Sequence, residues 1–295
     1  MTVLVLLAAA LPGLFVEGDP APGIRDAGVE CIQAPPAKTA AWSGQCVNAV
    51  DPASLQKLPA PGVRYRMNEA RASSAPWVDS NGARYLRGIQ GKALIAAGDG
   101  RAALAAAEAH AFGADVLVTA APKDWKAFGD MRRFLAALPA APLPALANIG
   151  FEDDGTPAAL ENMNLLLRRN LLFRVVSTPD KELSLNVKPK GGDPSAFAYE
   201  VRQKLTDAKR LLRLYGSEVV VARLFGDASH RRVALLNYSN RVVEGVRIRV
   251  LGAWPKVSVH AFGETVEAAD IVLEGDATEF TLPRVTAYVV VEMAR

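Results

Sequence analysis

Cysteine, histidine and aromatic residues are all scarce in this chain. Its 295 residues include two cysteines and three histidines, too few and too scattered for a zinc site built from four such ligands at short spacing. Aromatics make up 7% of the residues, few for the ring stacking that long polysaccharide clefts use. Neither sign of charge dominates, since 34 basic and 31 acidic residues leave +3. Dense basic stripes with interleaved aromatics are missing, which argues against nucleic acid as a partner. Arg168-Arg169 and Lys209-Arg210 fall in helical patterns and read as solvated faces. No apolar run is long enough to span a bilayer. There is no Gly-x-Ser-x-Gly elbow and no P-loop. His110, His230 and His260 lack the neighbours of a catalytic triad, which disfavours acyl transfer. Neither a metal nor a cofactor is expected.

What is present describes a folded globular protein, with 50% hydrophobic and 22% charged residues. The apolar run Val3–Leu11 has the length of a signal-peptide core, and Ala8-Ala9-Ala10 supplies small residues for cleavage. No Lys or Arg precedes it, so a buried first strand is the rival reading. The expectation is export to the periplasm or medium, with residues 1–13 as the signal peptide, or a cytoplasmic protein if the run is a core strand. Cys31 and Cys46 read either as a disulfide in an oxidising compartment or as two buried thiols on neighbouring strands, the second slightly favoured.

Over residues 14–187 short apolar strands alternate with helical or turn segments. Strands are expected at Leu14–Val16, Val29–Gln33, Cys46–Val50, Val63–Met67, Lys92–Ala97, Val116–Thr119, Ala145–Phe151 and Leu171–Val176. Helices are expected over Ala102–Phe112, stopped by Gly113, over Trp125–Leu138, and from Thr156-Pro157 to Arg169. Such alternation implies an α/β domain with a parallel sheet. Eight strands suit a barrel-like (β/α) arrangement, with an open doubly wound sheet as the alternative. Residues 188–210 read as a Pro/Gly linker and one helix, Pro194–Asp207. From Leu211 to Arg295 period-two alternation, with turns at Gly226-Asp227, Ser239-Asn240 and Gly275-Asp276, predicts antiparallel hairpins in a small β-sandwich.

Ligands of parallel α/β folds sit beyond the carboxyl ends of the strands. The polar residues there are Glu17 and Asp19, Asn48 and Asp51, Asn68 and Glu69, Asp99, and Glu152-Asp153-Asp154. Trp77, in Pro76-Trp77-Val78-Asp79-Ser80-Asn81-Gly82, is either a stacking platform for a pyranose or the pin of its loop to the core. Asp79 and Asn81 are either ligands or turn-formers. The run from Phe151 to Pro157 also reads as a strand end followed by a helix cap. Gly98-Asp99-Gly100-Arg101-Ala102-Ala103 matches the G-x-G-x-x-A of dinucleotide-binding turns, but without an acidic ribose ligand after the next strand it reads better as a tight βα turn.

Asn68-Glu69 after the fourth strand resembles the Asn-Glu acid/base signature of retaining glycosidases built on (β/α)₈ barrels. In that clan the nucleophile follows the seventh strand, where this chain has Glu152. The stretch RRVALLNYSNRVVEGVRIRVLG and the final TAYVVVEM resemble the β-sandwich that closes many bacterial glycosidases. The resemblance implies a retaining glycoside hydrolase, with Glu69 as proton donor, Glu152 as nucleophile, and Asn68, Trp77, Asp79 and Asn81 around the sugar. Residues 144–178 also resemble the β-α-β opening of the amidotransferase-like domain of some β-galactosidases, which serves assembly and lacks the catalytic pair. That alternative implies a non-catalytic relative that binds carbohydrate or another subunit, a homo-oligomer included.

Overall fold

The computed structural model describes residues 11–25, 27–64, 76–98 and 100–295. Asn68, Glu69, Asp99 and residues 1–10 of the N-terminal run lie outside these. The first strands are β1 (Gly13–Phe15), β2 (Cys31–Ala34), β3 (Cys46–Ala49), β4 (Gln56–Leu58), β5 (Gly62–Arg64) and β6 (Trp77–Asp79). Helix α1 (Gly82–Arg87), β7 (Ala93–Ala96), α2 (Ala102–Phe112), β8 (Val116–Thr119) and α3 (Trp125–Ala137) follow. Next come β9 (Ile149–Glu152), α4 (Pro157–Arg168), β10 (Phe173–Val176), β11 (Leu185–Val187) and α5 (Pro194–Leu205). The last eight are β12 (Leu212–Tyr215), β13 (Val220–Gly226), β14 (His230–Asn237), β15 (Val243–Leu251), β16 (Lys256–Ala261), β17 (Ala269–Glu274), β18 (Ala277–Val285) and β19 (Tyr288–Ala294).

Two compact units emerge, one of Met1–Gly62 with Gly88–Ala141 and one of Val63–Arg87 with Pro142–Arg295. In the first, six parallel strands lie in the order β3-β2-β1-β8-β7-β4. Phe15, Leu55, Leu94 and Leu117 make one apolar cluster on this sheet. Alanines let α2 pack on both sides, since Ala102 to Ala107, Ala109 and Ala111 are all buried. The helix ends at Gly113, whose φ of 67° is the left-handed cap expected of glycine there. At the outer edge a Cys31–Cys46 disulfide joins two residues that are direct register partners on β2 and β3. The expectation of two buried thiols is therefore corrected: the pair is bonded, and Cys46 lies exposed on an edge strand.

The parallel strands do not close into a barrel among the described residues. A barrel needs every strand hydrogen-bonded on both sides, whereas β3 and β4 are sheet edges and β9, β10 and β11 form a separate parallel sheet in the order β10-β9-β11. The parallel α/β class holds, and the six-stranded sheet has the open arrangement.

In the second unit two four-stranded antiparallel sheets, β12-β15-β18-β17 and β13-β14-β19-β16, enclose one core. Val246, Ile248, Phe280 and Leu282 from one sheet meet Leu224, Val233, Leu235 and Val291 from the other. Hairpins join β13 to β14 and β17 to β18 as the turns predict. The Ser239-Asn240 turn does something else, because β14 pairs with β13 and β19 while β15 pairs with β12 and β18. It is a crossover between sheets. Buried Asn237 organises it, donating to Arg241 O at 2.6 Å and Val285 O at 2.9 Å and accepting from Ser239 N at 3.0 Å.

The β9–β11 layer is fastened to this sandwich by two buried asparagines. Asn148 donates to Lys209 O at 2.8 Å and accepts from Leu211 N at 3.0 Å. Asn170, at φ 51°, donates to Val220 O at 3.1 Å and accepts from Ala222 N at 2.7 Å. Their amides take over the ladder bonds that neighbouring backbone would otherwise lack. Leu172, which leads into β10, sits in the sandwich core. Of the α/β region expected over 14–187, residues 63–87 and 142–187 fall in the same compact unit as the sandwich.

Candidate functional site

Three of the strand-end acids, Glu152, Asp153 and Asp154, lie at the β9–α4 junction. Alternating apolar side chains bury Ile149 and Phe151 in β9 and leave Glu152 at its carboxyl end. Its side chain is 19% exposed and pairs with Lys188 Nζ at 3.8 Å. Asp153 is held more firmly: Arg87 Nε donates to Oδ2 at 2.7 Å and Nη2 to Oδ1 at 2.9 Å, while the same Nη2 also reaches Thr156 O at 3.0 Å. Asp153 Oδ1 further accepts from Gly155 N at 3.1 Å. Asp154 accepts from the Thr156 hydroxyl at 2.7 Å and the Thr156 amide at 3.0 Å, and these bonds hold its carboxyl below the usual range. Thr156 in turn caps α4, accepting from Ala159 N at 3.1 Å ahead of Pro157 at the first turn. The strand-end-and-cap reading of this run describes Asp153, Asp154 and Thr156.

The Trp77 loop is likewise held by internal contacts. The Arg168 guanidinium, at the end of α4, lies 4.1 Å from the Trp77 ring centroid and donates to Pro76 O at 2.9 Å. That cation–π contact covers one ring face that a sugar would otherwise stack on. Asp79 receives two bonds from Arg64, Nε to Oδ2 at 2.5 Å and Nη2 to Oδ1 at 2.7 Å. The hydrogen bond and charge of Asp79 raise the Arg64 guanidinium above its ordinary pKa. Asn81 is 1% exposed and accepts from Arg84 Nη1 at 3.2 Å. Its carbonyl receives the Tyr85 amide at 2.9 Å, the first bond of α1. Ser80, not singled out from sequence, is buried with its hydroxyl 3.0 Å from that of Tyr238 and accepts from Gly82 N at 3.0 Å. Asp79-Ser80-Asn81-Gly82 therefore leads from the end of β6 straight into α1 and is not the separate turn that its composition predicts.

The residues that tie these strand ends together are arginines: Arg87, not singled out from sequence, and Arg168, expected on a solvated helix face but packed on Trp77. Arg87 joins the end of α1 to the β9–α4 loop, and Arg168 joins α4 to β6. Neither has a motif; the only signal was a basic residue in the last turn of a helix. Among the remaining strand-end groups, Asp19 pairs with Lys38 at 2.8 Å, Asp51 caps a 3₁₀ turn by accepting from Ala53 N at 2.9 Å, and Asn48 contacts Cys31 Sγ at 3.6 Å. In the Gly98–Ala103 turn, Gly100 N donates to Asp124 Oδ2 at 3.1 Å. An internal carboxylate occupies the amide that a bound pyrophosphate would take, which favours the tight-turn reading. No described helix is long and apolar enough to cross a membrane.

No protein-family profile matches the sequence, and no curated protein matches it. Solved structures do resemble the fold. Alpha-L-fucosidase isoenzyme 2 from Paenibacillus thiaminolyticus superposes with a TM-score of 0.51 at 10% identity, over 72% of this chain and 62% of that one. Gan42B, a GH42 beta-galactosidase from G. stearothermophilus, gives 0.38 at 8% identity over 81% and 53%. The catalytic module of a family 98 glycoside hydrolase from Streptococcus pneumoniae gives 0.26 at 10% identity over 62% and 54%. The chain spans less than two thirds of the length of each. At such identities a likeness concerns fold alone, and the two lower scores add nothing to it. The arrangement of parallel α/β layers and antiparallel sheets is similar in fold to that of the fucosidase.

Proposed function

We propose that this chain is a glycoside-hydrolase-like protein that handles carbohydrate as a binding or assembly module. Carbohydrate enters the proposal through the fold likeness to the fucosidase, and its non-catalytic side rests on the fate of the candidate side chains. Arg64 holds Asp79, Arg168 covers a face of Trp77, and Asn81 is buried just ahead of α1. Groups already committed in this way cannot reorganise around a sugar without losing those partners. Export to an oxidising compartment is part of the proposal, supported by the Cys31–Cys46 bond.

One observation favours a second reading, a retaining hydrolase. Glu152 escapes the bidentate clamp that fixes its neighbour Asp153 and pairs with Lys188 Nζ at 3.8 Å, which leaves its carboxylate the less encumbered of the two. Its partner would be Glu69, beside Asn68; a retaining mechanism in general needs its two carboxyls about 5 Å apart.

A glycan array and a panel of chromogenic glycosides, run on the same preparation, separate the two. Retention of glycan without release of chromophore is the expected result. Turnover that disappears in both Glu69→Gln and Glu152→Gln would establish the hydrolase instead. Size-exclusion chromatography with light scattering reads the assembly role as a homo-oligomer.

A further inference from the structure

The sandwich ends laterally in the edge strands β12, β17, β13 and β16, and the chain covers them unequally. The β13 edge is occupied from within: Leu146 N donates to Leu224 O at 2.8 Å, Gly226 N donates to Pro144 O at 2.9 Å, and Asn170 bonds Val220 and Ala222. By contrast, β17 pairs with β18 alone among the described strands. Every residue from Asp270 to Glu274 is exposed. Ile271 and Val272 are each 43% exposed and Leu273 is 62% exposed. Successive strand residues point to opposite faces, so apolar carbon meets solvent on both faces of this edge. Such an edge is a template for a further strand.

The surrounding charge selects which strand. Residues 262–283 contain six acids and no base. Glu264 is met by Arg284 at 3.0 Å, Asp276 by Arg249 at 2.7 Å and Glu279 by Arg247 at 3.3 Å. Glu267, Asp270 and Glu274, all exposed at or beside β17, have no ion-pair partner among the described residues. A second copy pairing here would bring the same three acids to the seam, and like charges across paired strands destabilise. The bulge between Ala269 and Val272 adds to that guard against self-pairing. A basic strand meets attraction where a second copy meets repulsion.

We infer that β17 is a docking edge for an extended segment of another protein in which branched apolar residues alternate with lysine or arginine. The segment adds outside β17 to the β12-β15-β18-β17 sheet, bonding its backbone to the outer edge. Its apolar side chains cover Ile271, Val272 and Leu273, and its cations meet Glu267, Asp270 and Glu274. The inference is independent of the carbohydrate reading.

A fluorescein-labelled heptapeptide alternating lysine with valine and isoleucine is the probe, read by anisotropy and by amide hydrogen exchange of the unmodified chain. Saturable binding is expected, with exchange slowed within 269–274. Replacing the peptide lysines by glutamate should abolish binding, and a central proline, which lacks the ladder donor, should weaken it about tenfold. On the protein, Glu267→Lys/Glu274→Lys should weaken binding about tenfold by reversing the charge. Leu273→Lys should do likewise, with the circular dichroism spectrum unchanged because the position is exposed. Absence of saturable binding overturns the proposal, as does equal affinity for the acidic or the proline peptide, or protection that spares β17. Unaltered affinity in Leu273→Lys also overturns it. Dimerisation seen by light scattering and abolished by Leu273→Lys would assign the edge to a second copy instead.

Discussion

Arg87 and Asp153 lock the end of α1 to the β9–α4 loop through two parallel hydrogen bonds of 2.7 and 2.9 Å, with Asp153 only 8% exposed. Planar guanidinium and planar carboxylate match edge to edge, so the pair fixes orientation as well as distance. It also removes the most enclosed acid of the Glu152-Asp153-Asp154 trio from any chemistry.

Either Arg87→Ala or Asp153→Ala should destabilise the protein by about 1–3 kcal/mol, because each leaves a largely buried charged partner without its bonds. Urea denaturation of both singles and the double in a mutant cycle should give a coupling energy above about 1 kcal/mol. Additive losses would show that the contact is incidental.

Gly129 sits inside α3, where alanine should add about 1 kcal/mol by helix propensity. Its environment reverses that sign. A Cβ built there would stand 2.0 Å from the Ala27 carbonyl oxygen, a backbone atom that cannot swing aside. Gly129→Ala should therefore lower the melting temperature, and an increase would mean the 27–29 connection yields freely.

Breaking the Cys31–Cys46 bond should cost about 3 kcal/mol, the chain-entropy value for a loop of 15 residues. The edge strand β3 is mostly exposed and, among the described strands, pairs with β2 alone. Denaturation midpoints of the Cys31→Ser/Cys46→Ser double variant against the parent measure the loss directly. Reduction of the parent should reproduce it.

Glu200 accepts from Lys204 at 2.8 Å and Lys190 at 2.9 Å, and these partners lower its carboxyl to about 2 from an ordinary 4.5. The fold thus binds that proton less readily than the unfolded chain does. Its contribution is complete above pH 4.5 and fades as pH falls toward 2. Glu200→Gln should flatten the dependence of unfolding free energy on pH across that window, a small effect because the group is exposed. Equal slopes for parent and variant would contradict the assignment.

Period and punctuation alone determined much of this protein. Helices expected at Ala102–Phe112, Trp125–Leu138 and Pro194–Asp207 form at Ala102–Phe112, Trp125–Ala137 and Pro194–Leu205. The strand at Val116–Thr119 appears with the same bounds. Apolar spacing, a capping threonine or aspartate, and a terminal glycine are local causes, and they act wherever they occur. Short strands such as Gln56–Leu58, Trp77–Asp79 and Leu185–Val187 escaped because three residues hold no readable period and owe their state to a neighbour.

Tertiary structure alone decided which strands became neighbours. Nothing local says that β1 should sit between β2 and β8, that β9 should join the sandwich's unit, or that Ser239-Asn240 should carry the chain from one sheet to the other. It also decided what the polar residues do. Asp79, Asp153 and Asn81 have the chemistry of a binding site, but arginines at positions 64, 84 and 87 claim them. A carboxylate's role depends on which cation arrives beside it, and that depends on contacts far apart in sequence.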